Sequence, residues 1–179
     1  MCVDRDAVMV QTIRHEVPVQ GRLVVVPIPD DVEEADVVDG MRAFLVEHSG
    51  VPRCAALVAW ADDDTLVARD IDLREDESPN PTMHTLRAAL GALLTDLFGT
   101  SVRPSWGAVT EAPTLGVHVD ELSTSFLREL HEFVAPKTTF IALLTERIDP
   151  GAIVRKLRHL QRVRVIYGGV PQCWAANSA

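Results

Sequence analysis

The chain has 179 residues, 47% of them apolar, and a formal net charge of −9. That length suits one domain with a real apolar core, and the acidic balance argues against general affinity for nucleic acid. No apolar run reaches the roughly 18–20 residues of a membrane helix, and the polar, charged start at 1–12 is unlike a secretory leader, so a cytoplasmic protein is the expectation.

Residues 1–20 lack periodicity and read as an arm, either disordered or an added edge strand. The first periodic element is a strand over 22–28 with the core Leu23–Val26, and Pro27 belongs at its end because it has no N–H to donate. Asp30 or Asp31 then offers a helix N-cap, with Glu33 or Glu34 at capping-box spacing. Val37, Val38, Met41, Phe44 and Leu45 follow at helical spacing, and Ser49-Gly50 closes the helix, glycine accepting a left-handed cap.

Two β-rich runs, 54–60 and 65–71, flank Ala61-Asp62-Asp63-Asp64 and read as a hairpin. After a polar, proline-rich loop comes a helix with Leu86, Leu90, Leu93, Leu94 and Leu97 on one stripe. Its polar side carries Arg87, Thr95 and Asp96, so it suits a core or a subunit interface better than a lipid surface. A Pro/Gly-punctuated connection over 99–116, around Trp106, looks inserted.

The last third alternates helix and strand. Asp120 is read as the cap of a helix over 121–134, stopped by Pro136, that buries Leu122, Phe126, Leu127, Leu130, Phe133 and Val134. The strand over 138–145 is apolar at consecutive positions, which implies burial on both faces. Asp149-Pro150 opens a helix with Pro at N1 that buries Ile153, Val154, Leu157 and Leu160, and 162–169 closes as a strand. The order β-α-β-β, then helices, then β-α-β, predicts an α+β fold of ferredoxin-like type. It would be a two-layer sandwich over 21–170 with a helix-and-loop insertion around 82–116 and a tail over 171–179. A two-layer sheet leaves one face bare, so a second copy of the chain is expected to cover it.

Chemistry is thinly signalled. Cys2, Cys54 and Cys173 are dispersed, with no CxxC pair, so no metal or disulfide site is expected. Neither GxGxxG, a P-loop nor a GxSxG elbow is present, and no cofactor is implied. Asp62-Asp63-Asp64 reads as a solvated turn rather than a cation loop. His118-x-Asp120-Glu121 is the best polar cluster, although an N-cap and a first-turn acid explain Asp120 and Glu121 without any function. His48 and His159 fall in last helical turns, where a cation suits the carbonyl end. The basic stretch 155–164 reads as a solvated face, or as a seam meeting acids of the first half or of another subunit. It lacks the interleaved aromatics of a nucleic-acid platform.

The residues Gly116, Asp120, Pro136, Glu146 and Pro150, with the first strand and its Pro29-Asp30 turn, carry a resemblance. The chain resembles, over about two thirds of its length, a family of small bacterial proteins of unknown function. Members of that family are often labelled membrane-associated or stress-linked. Fifteen arginines against two lysines agree with a high-GC bacterial source. Members usually carry a long Gly/Ala-rich apolar segment where this chain has 86–106 with Arg87, Asp96 and Arg103. The resemblance therefore implies membrane contact at the surface only, and it supplies no catalytic residues. The resulting expectation is a non-catalytic homo-oligomer with an interaction or stress-associated role. The alternative is a small-molecule binder or enzyme with a pocket between sheet and helices or across a dimer, where His118, Asp120, His131 and Trp106 are the candidates.

Overall fold

The computed structural model describes residues 21–51, 53–72, 81–106, 122–134, 136–146, 148–160 and 162–170. Its strands are β1 (Gly21–Pro27), β2 (Arg53–Trp60), β3 (Leu66–Asp70), β4 (Val102–Pro104), β5 (Phe140–Thr145) and β6 (Ile166–Val170). Its helices are α1 (Glu34–Glu47), α2 (Pro81–Phe98), α3 (Thr124–Phe133) and α4 (Pro150–Lys156). The fold is mixed α+β, with one six-stranded sheet in the order β4-β3-β2-β5-β1-β6.

The four strands β6, β1, β5 and β2 pair antiparallel, β3 adds antiparallel to β2, and β4 lies parallel to β3. Short β4 comes from the 99–116 connection, where only a loop is expected from sequence. Pro104 is tolerated there because β4 is the outermost strand.

Alternation along β1, β2 and β5 sends successive side chains to opposite faces, and both faces are dry. Val24, Val26, Ala55, Leu57, Ile141 and Leu143 pack with α1 and α4. Leu23, Val25, Ala56, Val58, Ala142 and Leu144 pack with the leucine stripe of α2 and with Phe126 and Leu130 of α3. The molecule is thus three-layered, not the expected two-layer sandwich. The strand 140–145 is buried on both sides as its composition requires, but the second cover is supplied by α2 and α3 of the same chain. That face needs no second copy.

Local expectations fare unevenly. Asp149 caps α4, its Oδ1 accepting from the Gly151 N–H at 3.0 Å, with Pro150 in the first turn. Val154 on that helix is 45% exposed rather than buried, because Ile153 and Leu157 take the sheet side. The cap of α3 is Ser123, whose Oγ accepts from the Phe126 N–H at 3.2 Å, and not Asp120. Helix α1 starts one turn later than the acids at 30 and 31: its N-cap is Glu33, with no side-chain cap bond. A turn from Pro29 to Val32 intervenes.

Gly50 is not left-handed. Among the described residues the left-handed glycine is Gly99, after α2, where the φ is +62°. The final strand starts at Ile166 and not at 162, because Arg162 has a φ of +82° and breaks the extended run. No described helix is long and apolar enough to cross a membrane. The arm 1–20, the tail 171–179 and residues 107–121 lie outside the described residues.

Candidate functional site

Register places the ends of β1 and β2 beside the starts of β3, β4, β5 and β6: Pro27 faces Phe140, Trp60 faces Leu66, Leu66 faces Val102 and Val25 faces Ile166. Five connections lie at this end, and the three that follow β1 and precede β5 and β6 line a cleft of about 460 Å3. That volume falls in the range of small-molecule sites. Pro27, Ile28, Pro29 and Asp30 form one wall, Thr138 and Phe133 another, and Arg162 and Arg164 a third.

Each wall has a local cause. Pro27 ends β1, and the next N–H, of Ile28, donates to the Thr139 carbonyl at 2.9 Å. This ties the Pro29-Asp30 turn to the start of β5. Phe133 is the last residue of α3 and half-buried. Thr138 follows Lys137, whose φ of +74° turns the chain sharply into β5. Val163 and Val165 pack into the core shared with α1 and α4, while Arg162 and Arg164 line the cleft.

The two arginines are held differently. The Arg164 guanidinium carbon lies 3.7 Å from the Phe133 ring centroid. Stacking occupies the flat face of the guanidinium and leaves its edge N–H groups available. Among the described residues Arg164 has no carboxylate partner within ion-pair distance. Arg162 is paired with the Asp31 carboxylate at the surface. The cleft thus presents a preorganised, unneutralised guanidinium fork beside an apolar wall, with Asp30 as its one lining carboxylate among the described residues. Such a fork suits an oxyanion, taking carboxylate or phosphate oxygens through parallel N–H groups.

Of the candidates named from sequence, His131 and Trp106 are among the described residues. His118 and Asp120 lie outside the described residues. His131 is on α3 but exposed. Trp106 follows Ser105, whose hydroxyl accepts from the Asp70 N–H at 3.1 Å. That places it at the opposite end of the sheet, so it does not meet His131. The seam reading of 155–164 fares better, since Lys156 pairs with Glu47 and Arg162 with Asp31, both acids of the first half. The acidic hairpin turn is exposed, and Asp63 accepts from Thr65 and pairs with Arg103. No group of three or more His, Cys, Asp or Glu among the described residues could hold a metal ion.

A second polar cluster sits at the far end of the sheet. Arg53 is 3% exposed, and its Nε stands 3.0 Å from Asp72 Oδ2 while one terminal nitrogen donates to Asp72 Oδ1 at 3.3 Å. The other donates to the carbonyls of His48 and Val51. Arg87 pairs with Asp70 nearby. Every charge there has a partner, so this cluster fastens the end of α1 to β2 and the segment after β3. Burial, with the nearby Asp70 charge adding to it, pushes the Cys54 thiol far above its ordinary pKa, which makes it a poor nucleophile.

No protein-family model, curated protein or solved structure matches the chain.

Proposed function

We propose that this protein binds a small anionic molecule in the cleft at the end of β1. The single observation behind this is Arg164, stacked at 3.7 Å over Phe133 in a walled cleft with no carboxylate partner among the described residues. Arg164 is exposed yet held over Phe133 at the cleft, so its guanidinium is both fixed in place and open to a ligand. The apolar wall of Pro27, Ile28 and Phe133 would take the uncharged part of the ligand.

We also read β6-β1-β5-β2, with α1 and α4 on one face, as a ferredoxin-like core. In this reading β3, α2, β4 and α3 are an insertion that widens the sheet and covers its other face. The family resemblance fits this reading, because its Pro29-Asp30 turn forms a wall of the cleft. An interaction or stress-associated role would then act through ligand binding.

The test is an amide NMR titration with inorganic phosphate and with acetate. Shifts centred on Asp30, Phe133, Thr138, Arg164 and the Arg162–Asp31 pair, lost in Arg164→Gln, are the expected result. An unperturbed cleft at tens of millimolar of either anion would overturn the reading.

A further inference from the structure

Resting on the anion reading above, we infer that the cleft takes a phosphate-type group gripped by Arg162 and Arg164 together, and that Asp31 is a built-in competitor that holds Arg162 until that group arrives.

The two arginines are two residues apart, Arg162 at the left-handed turn and Arg164 in the irregular segment that leads into β6. Val163 and Val165 pack, half-buried, against the core shared with α1 and α4, and both arginines line the cleft. A carboxylate has two oxygens, and one planar fork engages both. Phosphate offers at least three free oxygens and can serve two forks at once. Asp30 in the same lining repels any anion, a dianion more than a monoanion, so a phosphate-type group needs the second guanidinium to offset that repulsion.

Arg162 is the residue that makes the difference. Its backbone φ of +82° is costly for a side chain with a Cβ, and such conformations persist only where surrounding structure imposes them. Here the turn delivers the guanidinium to the mouth of the cleft, where the Asp31 carboxylate meets it. Asp31 does not itself line the cleft. The pair is solvent-exposed, with side-chain exposures of 75% and 49%. Pairs of this kind are weak, so an incoming dianion can replace Asp31 at small cost.

Amide NMR titrations of the full chain with inorganic phosphate, and separately with acetate at matched ionic strength, decide the matter. Asp31→Asn is expected to tighten phosphate binding by about two- to five-fold, the range an exposed ion pair allows. Arg162→Gln is expected to weaken phosphate binding and leave acetate binding unchanged. Asp36→Asn makes the same charge change at a residue with no arginine contact among the described residues, and should leave the phosphate affinity unchanged. If Asp31→Asn binds phosphate no more tightly than wild type, or no more tightly than Asp36→Asn, the competitor role is wrong. If Arg162→Gln binds phosphate as wild type does, the two-arginine grip is wrong. Silence towards both anions in wild type and in Asp31→Asn would instead remove the underlying anion site.

Discussion

The Phe126 ring rests directly on Gly168: a Cβ at position 168 would stand 2.8 Å from Phe126 Cγ and 3.0 Å from its Cδ2. These are ring atoms close to the α3 backbone, not the tip of a flexible chain, so they cannot swing aside. Helix α3 therefore approaches β6 as closely as it does because residue 168 has no side chain. Gly168→Ala is expected to lower stability by about 1–3 kcal/mol, the usual cost of overpacking a core. Urea unfolding measures it. A double-mutant cycle with Phe126→Leu should be strongly non-additive, since both changes act on one contact.

Arg53 and Asp72 should behave as a single unit. The pair is buried, with side-chain exposures of 2% and 10%. Removing one partner takes from the other buried charge a counter-ion it touches directly. Arg53→Met is expected to cost about 3–5 kcal/mol, and Arg53→Met with Asp72→Leu to cost less than that single change. Equal loss in the single and double variants, by urea unfolding, would show that the carbonyl contacts to His48 and Val51 matter more than the ion pair.

The buried thiol sets an alkaline limit. Cys54 has its pKa raised in the folded protein, chiefly by desolvation, from an ordinary value of 9.0. A group whose folded pKa is raised gives stability that is complete below the unfolded value and lost as pH rises above it. Stability should therefore decline above about pH 9, and less so in Cys54→Ala, as followed by urea midpoints in a Cys2→Ser, Cys173→Ser background. In that background Cys54 should resist alkylation until the protein unfolds.

At the acidic end, Glu47 supplies the readable signal. A hydrogen bond from Lys156 Nζ, at 2.5 Å, holds its carboxyl below the ordinary value of 4.5. With a lowered folded pKa, the contribution of the pair is present above that ordinary value and fades as pH falls through the folded one. Carboxyl NMR should find Glu47 titrating low in wild type and near its ordinary value in Lys156→Met.

Lys137 is an exposed residue in the left-handed region, at a φ of +74°. The strain is of order 1–2 kcal/mol for a residue with a Cβ, and glycine removes it while loosening the unfolded chain. Lys137→Gly is expected to be neutral to about 1 kcal/mol more stable. Lys137→Ala should show no such gain in thermal midpoint.

The sequence reads well wherever a pattern is local. The apolar run at 140–145 announces a strand buried on both sides, and the leucine stripe of α2 announces a buried helix. Periodicity tells which side of α2 is apolar, but not which face of the sheet receives it, so the third layer stays hidden. Asp31 has the spacing of an N-cap, yet the Pro29 turn delays the helix and frees it for Arg162. The cleft is harder still. Phe133 looks like a core residue and Arg164 like one more surface charge, and only the placement of α3 beside β6 brings them together. A half-buried aromatic at a helix end and an arginine flanked by core valines are the signals that could have found them.

The place of β1 in the sheet also governs when the chain can fold. Val25 sits between Ala142 and Ile166, so both neighbours of the first strand come from the end of the sequence. On the ribosome, β1 emerges long before either neighbour has been made. The hairpin of β2 and β3 can close early, but the centre of the sheet has to wait for β5, and its edge for β6. Long-range pairing of this kind slows folding and leaves apolar strands uncovered in the interim. A nascent chain stalled before Phe140 would carry Leu23–Val26 with nothing to pair against, which makes that early segment the natural point of chaperone engagement.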